Sequence, residues 1–260
     1  MNFTFIGTGN MGSALARAAA KTIPGKNITL CDANTGKAEK LAEELHCFAL
    51  PTDKAVSLAD FIFIGVKPQM LKALAEEIRG KILPDTILVS MAAGTSIEKI
   101  QELFGRHPII RIMPNVACGV GEGMILVCKN ELVTEENSRE FAYAMGEAGK
   151  LETIPEKLID AASAVTGCGP AYVFIMAEAM ADGLVACGVP RDKAYTFVSQ
   201  TILGSAKLML DSDKNPSALK DSVTSPGGTT IEGVTALERN GFRYALIEAV
   251  REAYEKNGKI

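Results

Sequence analysis

Asn2-Phe3-Thr4-Phe5-Ile6-Gly7-Thr8-Gly9-Asn10-Met11-Gly12-Ser13-Ala14-Leu15-Ala16-Arg17-Ala18-Ala19-Ala20-Lys21 is the stretch on which the fold turns. Residues 2–6 are a short apolar run bounded by Gly7, which predicts a buried strand. Residues 13–21 are strong helix formers. Between them stands G-x-G-x-x-G, in the strand–turn–helix setting where that pattern carries a mechanism. Gly7 allows a tight turn, Gly9 lets a pyrophosphate approach the backbone, and Gly12 lets the helix pack on the strand. A glycine-rich turn without a ligand is the plainer alternative. The position directly after the first strand favours a dinucleotide seat.

Working outward, Ile28-Thr29-Leu30-Cys31 predicts the second strand, and Asp32 stands at its end. An acidic side chain there commonly meets the ribose 2′-OH of a dinucleotide, although a helix cap or turn carboxylate fits too. Asn34 and Lys37 are close enough to face a 2′-phosphate instead, and a helix over 35–46 follows. Residues 60–64, 86–91 and 108–113 read as further buried strands, each followed by a turn and, after the first two, a helix. Strands alternating with helices imply parallel βαβ units, which bind ligands beyond their carboxyl ends. Val66-Lys67-Pro68, Ala92-Ala93-Gly94 and Met113-Pro114-Asn115 fall at such ends. Lys67 also fits a solvated lysine, and Asn115 a turn former.

Residues 122–128 and 150–154 look like additional edge strands around a helix near 134–148. From Pro155 the texture changes to long apolar helices over about 157–165, 170–187, 191–210, 216–223 and 229–256. This gives an α/β chain with a Rossmann-like dinucleotide-binding domain over 1–156 and an all-helical domain over 157–260. The helix of residues 171–187 is apolar nearly all round. So small a domain offers it limited cover, which points to a partner subunit.

A second glycine turn lies inside the helical half: Lys220-Asp221-Ser222-Val223-Thr224-Ser225-Pro226-Gly227-Gly228-Thr229-Thr230-Ile231-Glu232. Pro226, Gly227 and Gly228 break the helix, and Thr229 and Thr230 open another. The first turn of a helix offers unpaired N–H groups and a positive dipole end, which suits a carboxylate. Hydroxyls on Thr224, Ser225, Thr229 and Thr230 are placed to orient a small polar molecule. A capped turn between two helices is the plainer reading.

Composition narrows the class. The chain has 260 residues, 47% hydrophobic, with formal net charge −4, which disfavours a nucleic-acid surface. Six cysteines are scattered without a C-x-x-C pair, and only His46 and His107 supply imidazoles. No metal site is expected; free thiols in a reducing, cytoplasmic setting are the simpler account. No signal peptide is evident, and Glu178 and Asp182 make the longest apolar stretch a poor membrane span.

The motifs together resemble the Δ1-pyrroline-5-carboxylate reductase family: Phe5–Gly12, Val66-Lys67-Pro68-Gln69, Met91-Ala92-Ala93-Gly94, Arg111-Ile112-Met113-Pro114-Asn115, Gly167-Cys168-Gly169-Pro170-Ala171-Tyr172 and, most specifically, Leu219–Ile231. The likeness runs in order from residue 1 to about 255. It implies reduction of the C=N bond of a cyclic imino acid to L-proline by NADPH or NADH, the last step of proline biosynthesis. It implies that the cofactor lies on Ile6, Gly7, Thr8, Gly9, Asn10, Met11 and Gly12, on Asp32 and Asn34, and on Val66, Lys67 and Pro68. Ala92, Ala93 and Asn115 would stand near the nicotinamide. The substrate carboxylate would be held by Ser225 and the N–H groups of Gly228 and Thr229, with the Thr230 hydroxyl facing the ring nitrogen. The helical half would be a dimerisation domain, and dimers would assemble into a ring.

Hydride addition to an iminium needs no metal, only an oriented carbon and a group that tolerates or protonates the nitrogen. Thr230 fits as orienter and hydrogen-bond donor first, proton source second. Asp32 and Thr52 depart from residues many members of that family carry, which leaves the choice of NADPH or NADH open. A 3-hydroxyacid dehydrogenase would need a lysine on the helix after Gly167-Cys168-Gly169, and none follows. A redox-sensing NAD-binding regulator would not need the Ser225–Thr230 turn.

Overall fold

The structure is a computed structural model and describes residues 1–257. Eight strands form one sheet: β1 (Phe3–Ile6), β2 (Ile28–Cys31), β3 (Phe48–Ala49), β4 (Phe61–Ile64), β5 (Ile87–Ser90), β6 (Ile109–Met113), β7 (Gly123–Lys129) and β8 (Gly149–Thr153). Their order is β3-β2-β1-β4-β5-β6-β7-β8. All neighbours are parallel except β6 and β7, whose connection is too short for a crossover helix. The helices of this half are α1 (Asn10–Ala19), α2 (Thr35–Leu45), α3 (Thr52–Ala55), α4 (Leu71–Ile78), α5 (Ile97–Phe104), α6 (Glu135–Met145) and α7 (Ile159–Thr166).

The apolar runs become central strands because both faces of the sheet are covered, so every second residue serves a different core. Phe3, Phe5, Phe61, Phe63, Ile87 and Val89 belong to one core, and Ile6, Ile62, Ile64 and Leu88 to the other. Register pairs Phe3 with Phe61 and Phe5 with Phe63, and the paired rings stack at 5.0 and 4.4 Å. On one face β1 and β4 therefore share an aromatic ladder, while Ile6, Ile62 and Ile64 of the same strands serve the other face.

The chain divides into two units. The first is Met1–Gly167 together with the end of the last helix from Tyr254, and the second is Cys168–Ala253. The change of texture at residue 156 is followed by α7, which stays with the sheet. Arg111 on β6 is buried and pairs with Glu156 and Asp160, each at 3.0 Å. Glu156 also accepts the Ile97 N–H at 2.7 Å. Asn257 donates to the Asp160 carbonyl and the Ser163 hydroxyl.

The second unit holds α8 (Gly169–Ala186), α9 (Arg191–Asp211), α10 (Pro216–Ser222), α11 (Thr229–Arg239) and most of α12 (Phe242–Asn257). Tyr172 on α8 donates its hydroxyl proton to the Ala249 carbonyl on α12 at 3.2 Å. Three details differ from the sequence expectation. The short strand β3 is additional. β7 is interior, between β6 and β8, while β8 alone forms that edge. The single helix expected over 229–256 is two, broken at Asn240-Gly241, where Gly241 adopts φ +70°.

Candidate active site

The sheet order sets the carboxyl ends of β2, β1, β4, β5 and β6 side by side, so segments far apart in sequence share one edge. Gly7 leaves β1 with φ +95°, and its N–H donates to the Cys31 carbonyl at 2.7 Å. A Cβ at Gly7 would stand 2.7 Å from the Gly65 carbonyl oxygen, and one at Gly12 would run into the Gly7 carbonyl. Both positions therefore require glycine on packing grounds. Gly9 differs: a Cβ there meets nothing within 4 Å, so its glycine leaves open space over the turn. Gly9 caps α1 without a side-chain hydrogen bond, and no acidic residue occupies the first turn. The first N–H groups of α1 thus face that space with the positive end of the helix, a seat for an anion such as a pyrophosphate.

Within this turn Ile6 has its side chain in the core and gives its carbonyl to the Gly65 N–H at 2.8 Å. Asn10 is exposed, and Met11 packs partly against the core. Thr8 is buried and donates to Asp32 Oδ2 from its N–H at 2.7 Å and from its hydroxyl at 2.9 Å. Asp32 Oδ1 accepts the Asn34 N–H at 2.9 Å. Burial pushes the Asp32 carboxyl up, but the hydrogen bonds from Asn34 and Thr8, with Lys37 nearby, outweigh it and hold it below its ordinary value. Asn34 caps α2 with no side-chain hydrogen bond, so its amide is uncommitted there. Spacing alone located Asp32 but missed its partner Thr8. The signal was in the parallel register, which sets Ile6 beside Cys31 and so carries residue 8 toward residue 32.

Farther along the edge, Val66 is half-buried, Lys67 is exposed, and Pro68 opens a 3-10 turn over Pro68–Met70. Ala92 is buried while Ala93 is exposed. Asn115 is more committed than a turn former. Its Nδ2 donates to the Thr166 carbonyl at 2.9 Å, and its Oδ1 accepts the N–H groups of Ala117 and Met124 at 3.2 and 3.3 Å. It clamps the end of β6 to the start of β7 and to the last turn of α7.

In the helical unit the second turn has a definite construction. The Thr224 hydroxyl donates to the Lys220 carbonyl at 2.6 Å, capping α10, so it is not free to orient a ligand. The Gly228 N–H donates to the Ser225 carbonyl at 3.1 Å. Pro226 and Gly227, the latter at φ +66°, are the two inner residues, as a type II turn requires. The Gly228 N–H is therefore committed to the turn and is not open to a carboxylate. The role of Gly228 is its missing side chain, since a Cβ would collide with the Ser225 hydroxyl. Gly228 caps α11 without a side-chain bond, leaving the N–H groups of Thr229 and Thr230 in the open first turn. The side chains of Ser225, Thr229 and Thr230 are exposed. A small carboxylate beside this turn would find hydroxyls and N–H groups together.

Comparison with known proteins accords with both halves. Residues 156–260 match the family described as pyrroline-5-carboxylate reductase dimerisation, and residues 2–94 match one described as NADP oxidoreductase coenzyme F420-dependent. The chain is 40% identical to a pyrroline-5-carboxylate reductase of Escherichia coli, covering 98% of this chain and 97% of that one. It is 37% identical to one of Arabidopsis thaliana, covering 98% and 94%. A pyrroline carboxylate reductase of Plasmodium falciparum, solved with NADP bound, superposes with TM-score 0.88 at 32% identity, covering 99% of this chain and 97% of that one. With such identity sustained over nearly its whole length, the chain belongs to the pyrroline-5-carboxylate reductase family.

Proposed function

We propose that the chain reduces the C=N bond of 1-pyrroline-5-carboxylate to give L-proline, using NADPH or NADH, in the last step of proline biosynthesis. The observation that carries this reading is the 40% identity to a reductase of that name over 98% of the chain. The cofactor seat runs over Ile6–Gly12, Asp32, Asn34, Val66–Pro68, Ala92, Ala93 and Asn115, in a domain of residues 1–156. The open space at Gly9 and the uncapped start of α1 fit a pyrophosphate. Bound there, the dihydronicotinamide supplies a hydride to the carbon of the C=N bond, while the nitrogen gains a proton.

Residues 157–260 hold the imino acid and the subunit contact. Ser225 and the N–H of Thr229 hold the carboxylate, and Gly228 leaves them room. The Thr230 hydroxyl donates a hydrogen bond to the ring nitrogen as the charge on it changes. Its high pKa makes it an orienter before a proton source. The working protein is a homodimer whose dimers assemble into a ring in the cytoplasm. In α8 (Gly169–Ala186) Phe174 and Ile175 are exposed. The dimerisation match covers them, which supports a second subunit as their cover.

The test is oxidation of NADPH and NADH by the purified protein, followed with and without pyrroline-5-carboxylate, with L-proline identified as product. Cofactor oxidation that does not depend on the imino acid would sink the assignment.

A further inference from the structure

We infer that Asp32 is a positioning residue of the glycine turn, acting through Thr8, and does not read the ribose of the cofactor. The inference rests on the cofactor seat proposed above. A carboxylate offers about four lone-pair sites. Three are taken by protein donors, two of them from the residue between Gly7 and Gly9. An acid that reads a ribose must turn its oxygens to the sugar hydroxyls, whereas both oxygens of Asp32 face backbone N–H groups.

The geometry gives those bonds a purpose. Thr8 is 8% exposed, so its N–H needs a protein partner, and Asp32 is that partner. Gly7 ties its own N–H to the neighbouring Cys31 carbonyl. Two consecutive N–H groups of the turn are thereby drawn to the end of β2. The open N–H groups begin after them, at the start of α1 over the space beside Gly9. Asp32 thus decides which N–H groups face the pyrophosphate. That part of the cofactor is the same in NADPH and NADH, so the carboxylate acts on both alike. Discrimination at the 2′ position lies with groups beyond it, including the uncommitted Asn34 amide and the exposed Lys37.

The experiment is fluorescence titration of NADPH and NADH into wild type, Asp32→Ala, Thr8→Val and the double variant, with steady-state kinetics alongside. Asp32→Ala leaves a buried donor unpaired and is expected to weaken both cofactors by about tenfold or more. The ratio of the two dissociation constants should stay within about threefold of wild type. Thr8→Val should weaken both cofactors less and add nothing to Asp32→Ala. Thr8→Ser, which keeps the hydroxyl, should restore binding and keeps the idea testable if Asp32→Ala fails to fold. A shift of about tenfold toward NADPH in Asp32→Ala would mean that the carboxylate reads the ribose, and would overturn the inference. Unchanged affinity for both cofactors would overturn it as well. Wild type that binds neither cofactor is a different failure, of the cofactor seat itself.

Discussion

The two units dispose of their apolar side chains in opposite ways. In the sheet unit Phe3, Phe5, Phe61 and Phe63 are at most 1% exposed, and helices close both faces. In the helical unit the buried core cluster is Ala181, Ala194 and Val198, while Phe174 and Ile175 on α8 are each 66% exposed. Polar groups repeat the contrast. In the sheet unit Thr8, Asp32 and Asn115 are tied to protein partners, whereas in the helical unit Thr229 and Thr230 stand open. One unit carries its own stabilisation. The other carries surfaces that need something to cover them, a second subunit and a substrate.

The sharpest way to break this contrast is to remove one ring from each unit. Phe63→Ala opens a cavity between Phe5, Phe3 and Phe141 and is expected to cost about 3–5 kcal/mol, independent of protein concentration. Phe174→Ala should show its effect through association: the unfolding midpoint should depend on protein concentration, and sedimentation should show more monomer. Equal, concentration-independent losses in denaturant titrations of both variants would mean that the helical unit is as self-sufficient as the sheet.

Thr230→Ala tests the open polar groups. Loss of one positioned donor is expected to lower kcat on the order of 10²-fold, about 2.7 kcal/mol, with NADPH affinity held. Thr230→Ser should keep much of the activity, and Ser225→Ala should act mainly on KM for the imino acid. A Thr230→Ala enzyme within about threefold of wild type would leave the hydroxyl no part in the chemistry.

Asn115→Ala sharpens the other side. It removes one donor and one doubly used acceptor in the sheet unit, and leaving such groups unpaired costs about 1–3 kcal/mol. Thermal unfolding should fall accordingly. If stability holds and only cofactor affinity drops, Asn115 is a ligand contact and not a clamp.

These contrasts also explain what was legible. The path from β1 through α1 to β2 was readable because each local signal, apolar run, glycine spacing and helix formers, agrees with the tertiary packing. β3 was not, since Phe48 is 54% exposed and the strand exists only through its pairing with β2. Nor does sequence carry strand direction, so the interior place of antiparallel β7 was hidden. The break at Asn240-Gly241 did leave a signal, an Asn-Gly pair inside an otherwise helical pattern. At the site, residue types were legible and commitments were not. Asp32, Gly228 and Thr224 all stand where the motif puts them, yet a carboxylate, an N–H and a hydroxyl that look available are already paired.

Thr224 gives the smallest expected effect and tests that last point most directly. Four hydroxyls stand within seven residues of the second turn, and by sequence any of them suits a polar ligand. In the structure the Thr224 hydroxyl donates to the Lys220 carbonyl at 2.6 Å, and the Val223 N–H donates to the same carbonyl at 3.2 Å at the end of α10. Thr224→Val keeps the branched shape and removes that donor. The carbonyl keeps the Val223 N–H as a partner, so the cost should sit near the net worth of one hydrogen bond, about 0.5–1.5 kcal/mol. Thermal unfolding should fall slightly, while kcat changes less than for Thr230→Ala and KM for the imino acid less than for Ser225→Ala. A Thr224→Val enzyme that unfolds like wild type but binds the imino acid poorly would reverse the assignment. The hydroxyl would then have to leave Lys220 when substrate arrives, and the helical unit would have one more open group than its structure displays.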